Sequence, residues 1–191
     1  MSISHLVFNA FLLAYFHLPT SLHLQVTTPR QILFPNSLNL PDLTNLVLWY
    51  FSFPLGYDGR AEPFSELKRL KHLVIRKCEV MDAQNLYISS TTLVTLRIIN
   101  GSRPHFGIEL STPSLIDFCF RGIPHQKLCG SNTNLPNIKH VDIYLINLKN
   151  SAQTSLLLLN WLVELANIQS LSVTSTTLKV LLFWDVSLFY L

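Results

Sequence analysis

Leu70-Lys71-His72-Leu73-Val74-Ile75 is the stretch on which the reading of this chain turns. Leu73 and Ile75 alternate with variable neighbours, so they fall on one face of a strand, while His72, Val74 and Arg76 fall on the other. The same order of apolar, two variable, apolar, one variable, apolar recurs on both sides. Upstream it is Leu43-Thr44-Asn45-Leu46-Val47-Leu48 and, with Pro19 replacing the first apolar residue, Pro19-Thr20-Ser21-Leu22-His23-Leu24. Downstream it is Leu93-Val94-Thr95-Leu96-Arg97-Ile98, Leu115-Ile116-Asp117-Phe118-Cys119-Phe120, Ile138-Lys139-His140-Val141-Asp142-Ile143 and Ile168-Gln169-Ser170-Leu171-Ser172-Val173. The second apolar positions, 22, 46, 73, 96, 118, 141 and 171, are separated by 24, 27, 23, 22, 23 and 30 residues.

Spacings of about 20–29 residues with this internal order are those of leucine-rich repeats. The expected fold class is therefore α/β: a leucine-rich-repeat solenoid with a parallel β-sheet on its concave face and irregular or short helical returns. A single repeat cannot bury its apolar face alone, so stability has to come from stacking on its neighbours. Pro41, Pro54, Pro63, Pro104, Pro113, Pro124 and Pro136 fall between the expected strands and argue against long helices there. The clearest helix candidate runs from Thr154 to Ala166, and its length accounts for the last, longest step. Ser65 is placed to cap a helical turn over Ser65–Arg69. Residues 18–180 form the expected repeat domain of about seven repeats. Residues 1–17 are an unassigned apolar N-terminal segment and residues 181–191 an unassigned apolar tail, and both ends read as cut faces of a longer stack or as surfaces that need covering.

Composition narrows the function. Hydrophobic residues make up 49% of the 191 residues and charged residues 13%, against about 25% charged in an ordinary soluble domain. A continuous core or a covered surface explains that deficit. A formal net charge of +3 is too weak, and too scattered, to point to nucleic acid. The apolar run Leu6–Phe16 is shorter than a membrane span requires, and residues 1–29 lack the basic residues that open a signal peptide. Neither a membrane nor a nucleic-acid partner is expected, and the cytoplasm or nucleus is the expected compartment. Cys78, Cys119 and Cys129 make no C-x-x-C pair and are expected to be buried free thiols. The seven His residues form no metal motif, and no nucleophile elbow or phosphate loop is present. No catalytic residue, cofactor or metal is expected, and the chain is not expected to be an enzyme. Asn100-Gly101-Ser102 is a glycosylation sequon that matters only for a secreted chain.

The repeats also order the residues that face away from the core. One column is Ser21, Asn45, His72, Thr95, Asp117, His140 and Ser170. The next is His23, Val47, Val74, Arg97, Cys119, Asp142 and Ser172, and the third is Gln25, Trp49, Arg76, Ile99, Arg121, Tyr144 and Thr174. From these the expected partner-binding residues of the concave face are Trp49, His72, Arg76, Arg97, Asp117, Arg121, His140, Asp142 and Tyr144. Aromatic residues such as Trp49 and Tyr144 are enriched at interface hot spots. Arg76, Arg97 and Arg121 come from three successive strands and make a basic stripe suited to an acidic peptide or phosphate. Two other readings stand beside these: Arg121 pairs with Asp117 or Asp142, and Trp49 packs under Phe51 and Phe53.

Several longer stretches carry a family resemblance. They are Leu33-Phe34-Pro35-Asn36-Ser37-Leu38-Asn39-Leu40-Pro41, Gly59-Arg60-Ala61-Glu62-Pro63-Phe64, Ile108-Glu109-Leu110-Ser111-Thr112-Pro113-Ser114-Leu115, Trp161-Leu162-Val163-Glu164-Leu165-Ala166-Asn167-Ile168 and Ser172-Val173-Thr174-Ser175-Thr176-Thr177-Leu178. Cys78, three residues past Ile75, stands where such repeats often carry Cys or Asn. Over residues 18–180 the chain resembles the repeat region of plant F-box/leucine-rich-repeat proteins of the FBD type. The resemblance implies a substrate-recognition module of an SCF-type ubiquitin ligase, with an unknown target protein on the concave face. No F-box is found before the first repeat and no FBD region after the last, so the chain reads as a truncated member. A Skp1-type adaptor is an expected partner only if a longer form supplies an F-box. The alternatives are a free-standing or nonfunctional repeat protein without a ligase link, and a secreted leucine-rich-repeat protein.

Overall fold

The computed structural model describes residues 19–27, 32–35, 38, 40–56, 59–81, 85–100, 106–124, 128, 135–146, 152–165 and 168–187. The N-terminal segment 1–17, Cys129 and residues 188–191 of the tail lie outside them. Along the described chain run β1 (Ser21–Gln25), β2 (Ile32–Leu33), β3 (Asn45–Trp49), β4 (Phe51–Phe53), β5 (His72–Arg76), β6 (Glu79–Val80), β7 (Asn85–Ser89), β8 (Thr95–Ile99), β9 (Gly107–Ser111), β10 (Asp117–Gly122), β11 (His140–Leu145), α1 (Ala152–Glu164), β12 (Ser170–Val173) and α2 (Ser175–Ser187).

Each of the seven hexamers contributes one strand to a seven-stranded sheet in the order β1-β3-β5-β8-β10-β11-β12. All six pairings are parallel, and the register never slips: Leu22, Leu46, Leu73, Leu96, Phe118, Val141 and Leu171 stand side by side. A one-residue slip would send every inward side chain to solvent, so the alternation itself pins the register. Leu46, Leu48, Leu73, Ile75, Leu96, Ile98, Phe118, Phe120, Val141 and Ile143 are buried on the inner side. Burying one such side chain stabilises by about 1.5–3 kcal/mol.

The entry to each strand repeats as faithfully as the strand. A tight turn closes on the first apolar residue of the hexamer: Leu43 N–H donates to Leu40 O (3.1 Å), Leu70 N–H to Leu67 O (3.1 Å), Leu115 N–H to Thr112 O (3.0 Å), Ile138 N–H to Leu135 O (3.4 Å) and Ile168 N–H to Leu165 O (3.2 Å). One carbonyl per turn then accepts two N–H groups of the next turn, as Lys71 O does from Val94 and Thr95 and Ile116 O from Lys139 and His140. The residue just before the first apolar position reaches back by its side chain. Arg69 pairs with Asp42 (2.7 Å), Thr92 Oγ1 donates to Leu70 O (2.9 Å), Ser114 Oγ to Thr91 O (2.6 Å) and Asn137 Nδ2 to Pro113 O (2.7 Å).

The returns correct the expectation of irregular or short helical connections. In the early turns they carry short strands of their own: β2-β4-β6 form a second parallel sheet, and β7-β9 a third, extended by a parallel bridge from Ala61 to Leu86. The architecture there is a β-solenoid. Strands of two to five residues fit between the prolines, whereas a packed helix needs several turns free of them. Ser65–Arg69 forms turns rather than a helix. Bends at the end of the main strands send the chain into the second sheet, with Tyr50 (φ 63°) and Lys77 (φ 49°) in the left-handed region at equivalent places. There Lys77 Nζ stacks on the Tyr50 ring (5.4 Å) and donates to its hydroxyl (3.1 Å). Inside this bend Phe34, Phe51, Phe53 and Phe64 form a ring cluster with centroids 5.5–5.9 Å apart.

Among the described residues, helices enter at the C-terminal end. α1 answers the expected Thr154–Ala166 helix and buries Trp161 against Phe120 (ring centroids 4.9 Å) and Phe118 (6.4 Å). α2 was not read from the sequence, although Thr174 is an N-cap residue whose Oγ1 accepts from Thr177 N–H at 3.2 Å. Thr177 then substitutes for a strand partner: its hydroxyl donates to Ile143 O (3.1 Å) and accepts from Leu145 N–H (3.0 Å). Ser155 Oγ ties the two helices by donating to Val180 O (2.9 Å).

Candidate binding surface

The side of the main sheet turned away from the core carries the three columns, and the register sets their lateral neighbours. Asn45, His72, Thr95, Asp117 and His140 form one row; Val47, Val74, Arg97, Cys119 and Asp142 the next; Trp49, Arg76, Ile99, Arg121 and Tyr144 the third. Strands of one sheet lie about 4.8 Å apart, so residues side by side in a row are within reach of each other. The nine residues singled out from the sequence are therefore on one face. His72, Arg97, Arg121 and His140 are exposed; Trp49, Arg76, Asp117, Asp142 and Tyr144 are half-buried. Thr174 lies just past β12, so the third row ends at Tyr144 among the strands.

The face divides into two parts. Toward β1 it is apolar and aromatic. Trp49 does not pack under Phe51 and Phe53, whose rings point into the core; its ring meets His23 (6.0 Å) and carries the Arg76 guanidinium at 4.8 Å. Val47 and Val74 are half-buried beside it. Trp49 Nε1 and Arg76 Nε are both enclosed with no hydrogen-bond partner among the described residues.

Toward β11 the face is charged. Thr95, Arg97, Asp117, Phe118, Cys119, His140 and Asp142 line a shallow depression of about 250 Å³. Arg121 does not pair with Asp117 or Asp142 within 4.0 Å. Asp117 takes only a long contact from Thr95 Oγ1 (3.5 Å). Cys119 is half-buried rather than buried. Burial raises its thiol pKa, the Asp142 carboxylate raises it further, and Arg97 and Arg121 pull it back. No family model, curated protein or solved structure matches the chain. The reading of this surface therefore rests on its own geometry.

A second depression, of about 280 Å³, escaped the sequence reading. It lies on the β7-β9 sheet, with Arg60, Glu62, Tyr87, Ser89 and Glu109 on its walls, and the Arg60 guanidinium sits 4.9 Å over the Tyr87 ring. The signal was present in the alternation Leu86-Tyr87-Ile88 and Ile108-Glu109-Leu110, which buries the aliphatic residues and turns Tyr87 and Glu109 outward. Asn85 Nδ2 holds Glu109 Oε1 there. Among the described residues no group of three or more His, Cys, Asp or Glu is placed to hold a metal ion. No described helix is long and apolar enough to cross a membrane.

Proposed function

We propose that the chain is a leucine-rich-repeat module that binds another protein across the outward face of the main sheet, resembling the substrate-recognition region of an F-box subunit of an SCF-type ubiquitin ligase. The observation that carries this reading is the in-phase register of seven strands, which lines up varied side chains in rows over a rigid, buried backing. Repeat proteins use such extended faces for partners, and the half-buried Trp49 and Arg76 on it are of the residue types that dominate interface energies. The hexamers that supply every strand of the main sheet support the leucine-rich-repeat reading. The strands in the returns are its departure from the expected form.

Site-specific photocrosslinking tests the proposal. A photoreactive amino acid is placed at His72, Arg97 or His140 on the outward face, and at Glu66 or Lys68, exposed on the returns. In cells, the outward positions should trap one shared partner that the return positions do not. Equal trapping from both sets, or no shared product from the outward set, would overturn it. Co-purification of a Skp1-type adaptor with a longer product of the same gene would add the ligase link. A long form that does not bind the adaptor would remove that link and leave the binding module.

A further inference from the structure

We propose that Arg76, Arg97 and Arg121 form a receptor for one aspartate or glutamate side chain of an extended peptide segment, whose neighbouring apolar side chain rests on Val47, Val74 and Trp49. The inference rests on reading the outward face as a protein-binding surface and names what that surface reads.

The three arginines flank one aliphatic residue in the register of the sheet. Arg76 and Arg121 stand at the register of Ile99 on the strands to either side of it, roughly 10 Å from each other at the backbone. Arg97 lies two residues before Ile99 on the central strand and on the same face, roughly 7 Å away. Three positive charges so close, on a face where the Debye length is about 8 Å in physiological salt, repel one another. None has an ion-pair partner among the described residues. An anion over Ile99 would relieve all three at once. Arg76 holds its planar group on the Trp49 indole at 4.8 Å, and stacking by the flat face leaves in-plane N–H groups for a carboxylate.

The border of the ring selects the anion. Asp117 adjoins Arg97 diagonally, and Asp142 adjoins Arg121. Three arginines less two aspartates leave one net positive charge, which suits a single carboxylate. A polyanion such as nucleic acid, or a phosphate dianion, would meet the two aspartates. On the other side the outward strand positions carry no acid: Val74 on β5 and Val47 and Trp49 on β3 give an apolar platform one to two strands from Ile99. An acidic residue and an apolar residue about three apart in an extended segment span that distance.

The test is fluorescence anisotropy on the full chain with four labelled peptides. They share a Leu-Ser-Ser-X-Ser-Ser frame, with X glutamate, serine, lysine or phosphoserine. The glutamate peptide should bind about tenfold more tightly than the serine or lysine peptide, and Arg97→Glu and Arg121→Glu should each weaken it about tenfold. Asp142→Asn should tighten it, since it removes a repelling carboxylate, and added salt should weaken it. Unchanged thermal midpoints in Arg97→Glu and Arg121→Glu guard against misfolding as the cause. Equal affinity for the glutamate and lysine peptides, or indifference to the arginine reversals, would sink the proposal. A phosphoserine peptide binding much more tightly than the glutamate peptide would overturn the choice of a carboxylate. If the photocrosslinked partner still binds when both arginines are reversed, this inference fails and the binding module stands; if the acidic peptide binds but no partner is trapped, the reverse holds.

Discussion

Cys78 shows how much one small side chain does in this fold. It sits at the bend between the main and second sheets, where its Sγ accepts from Phe51 N–H (3.4 Å) and lies within donating distance of Arg76 O (3.4 Å) and Leu48 O (3.7 Å). Burial pushes its thiol pKa up from 9.0 to about 11, against the hydrogen bonds that lower it. The neutral thiol is thus the form the fold holds. A folded-state pKa above the unfolded one means that its contribution is complete below pH 9 and is lost as pH rises toward 11. Cys78→Ala should cost about 2 kcal/mol in denaturant titrations, from the lost contacts and the small cavity left. It should also flatten the fall in stability between pH 9 and 11; a fall of the same size in the variant would refute the assignment. In the sequence Cys78 reads as a buried free thiol, but its contacts with Phe51 and Leu48 do not show there, because those partners come from the preceding turn. Trp49 was legible as an outward aromatic, but not the Arg76 guanidinium lying on it. That pairing needs the register of two strands 27 residues apart, Trp49 against Arg76.

Elements with strong period-two alternation were readable, and those without were not. All seven main strands follow from Leu, Ile, Phe and Val at alternate positions. β2, β4 and β6 are two or three residues long, too short to show any period. β7 and β9 do alternate, but they lie inside returns that the prolines marked as irregular. α2 carries apolar residues on many sides, including an exposed Leu178, so no face announced it. The polar column ahead of each strand was also missed, because its members Asp42, Arg69, Thr92, Ser114 and Asn137 share a role and not a residue type. Their contributions should differ by burial. Arg69 and Asp42 keep 69% and 37% of their side-chain surface exposed, so Asp42→Ala should cost less than about 0.5 kcal/mol. Asn137→Ala removes a 2.7 Å bond to a backbone carbonyl of the preceding turn and should cost about 1 kcal/mol. Chemical denaturation of the two variants would separate them, and a larger loss for Asp42→Ala would show that the column is held electrostatically.

At the scale of the molecule the main sheet is a line of strands, each touching only its neighbours in the stack, so stability should vary along it. In the middle, Leu73 and Leu96 are fully buried between two strands. At one end Leu22 and Leu24 are only half-buried, and β1 pairs with β3 alone among the described strands. At the other, Leu171 is 39% exposed, and among the described strands β12 pairs with β11 alone. The helices offset part of this asymmetry: Trp161 seals the core under β10, and Thr177 ties α2 to β11, yet neither bond reaches β12. Leu96→Ala should therefore cost about 3 kcal/mol, as in a packed core, and Leu22→Ala roughly 1 kcal/mol. Native-state hydrogen exchange gives the fuller test, since local opening spans the range from fraying to global unfolding. The amides of β5, β8 and β10 should exchange last, those of β3 and β11 earlier, and those of β1 and β12 first. The Leu96→Ala variant should speed the central strands most, because they have no lower-energy route of opening than loss of the central stack. Uniform exchange across all seven strands would instead mean that the sheet opens as one cooperative unit, with coupling between turns stronger than the nearest-neighbour contacts supply.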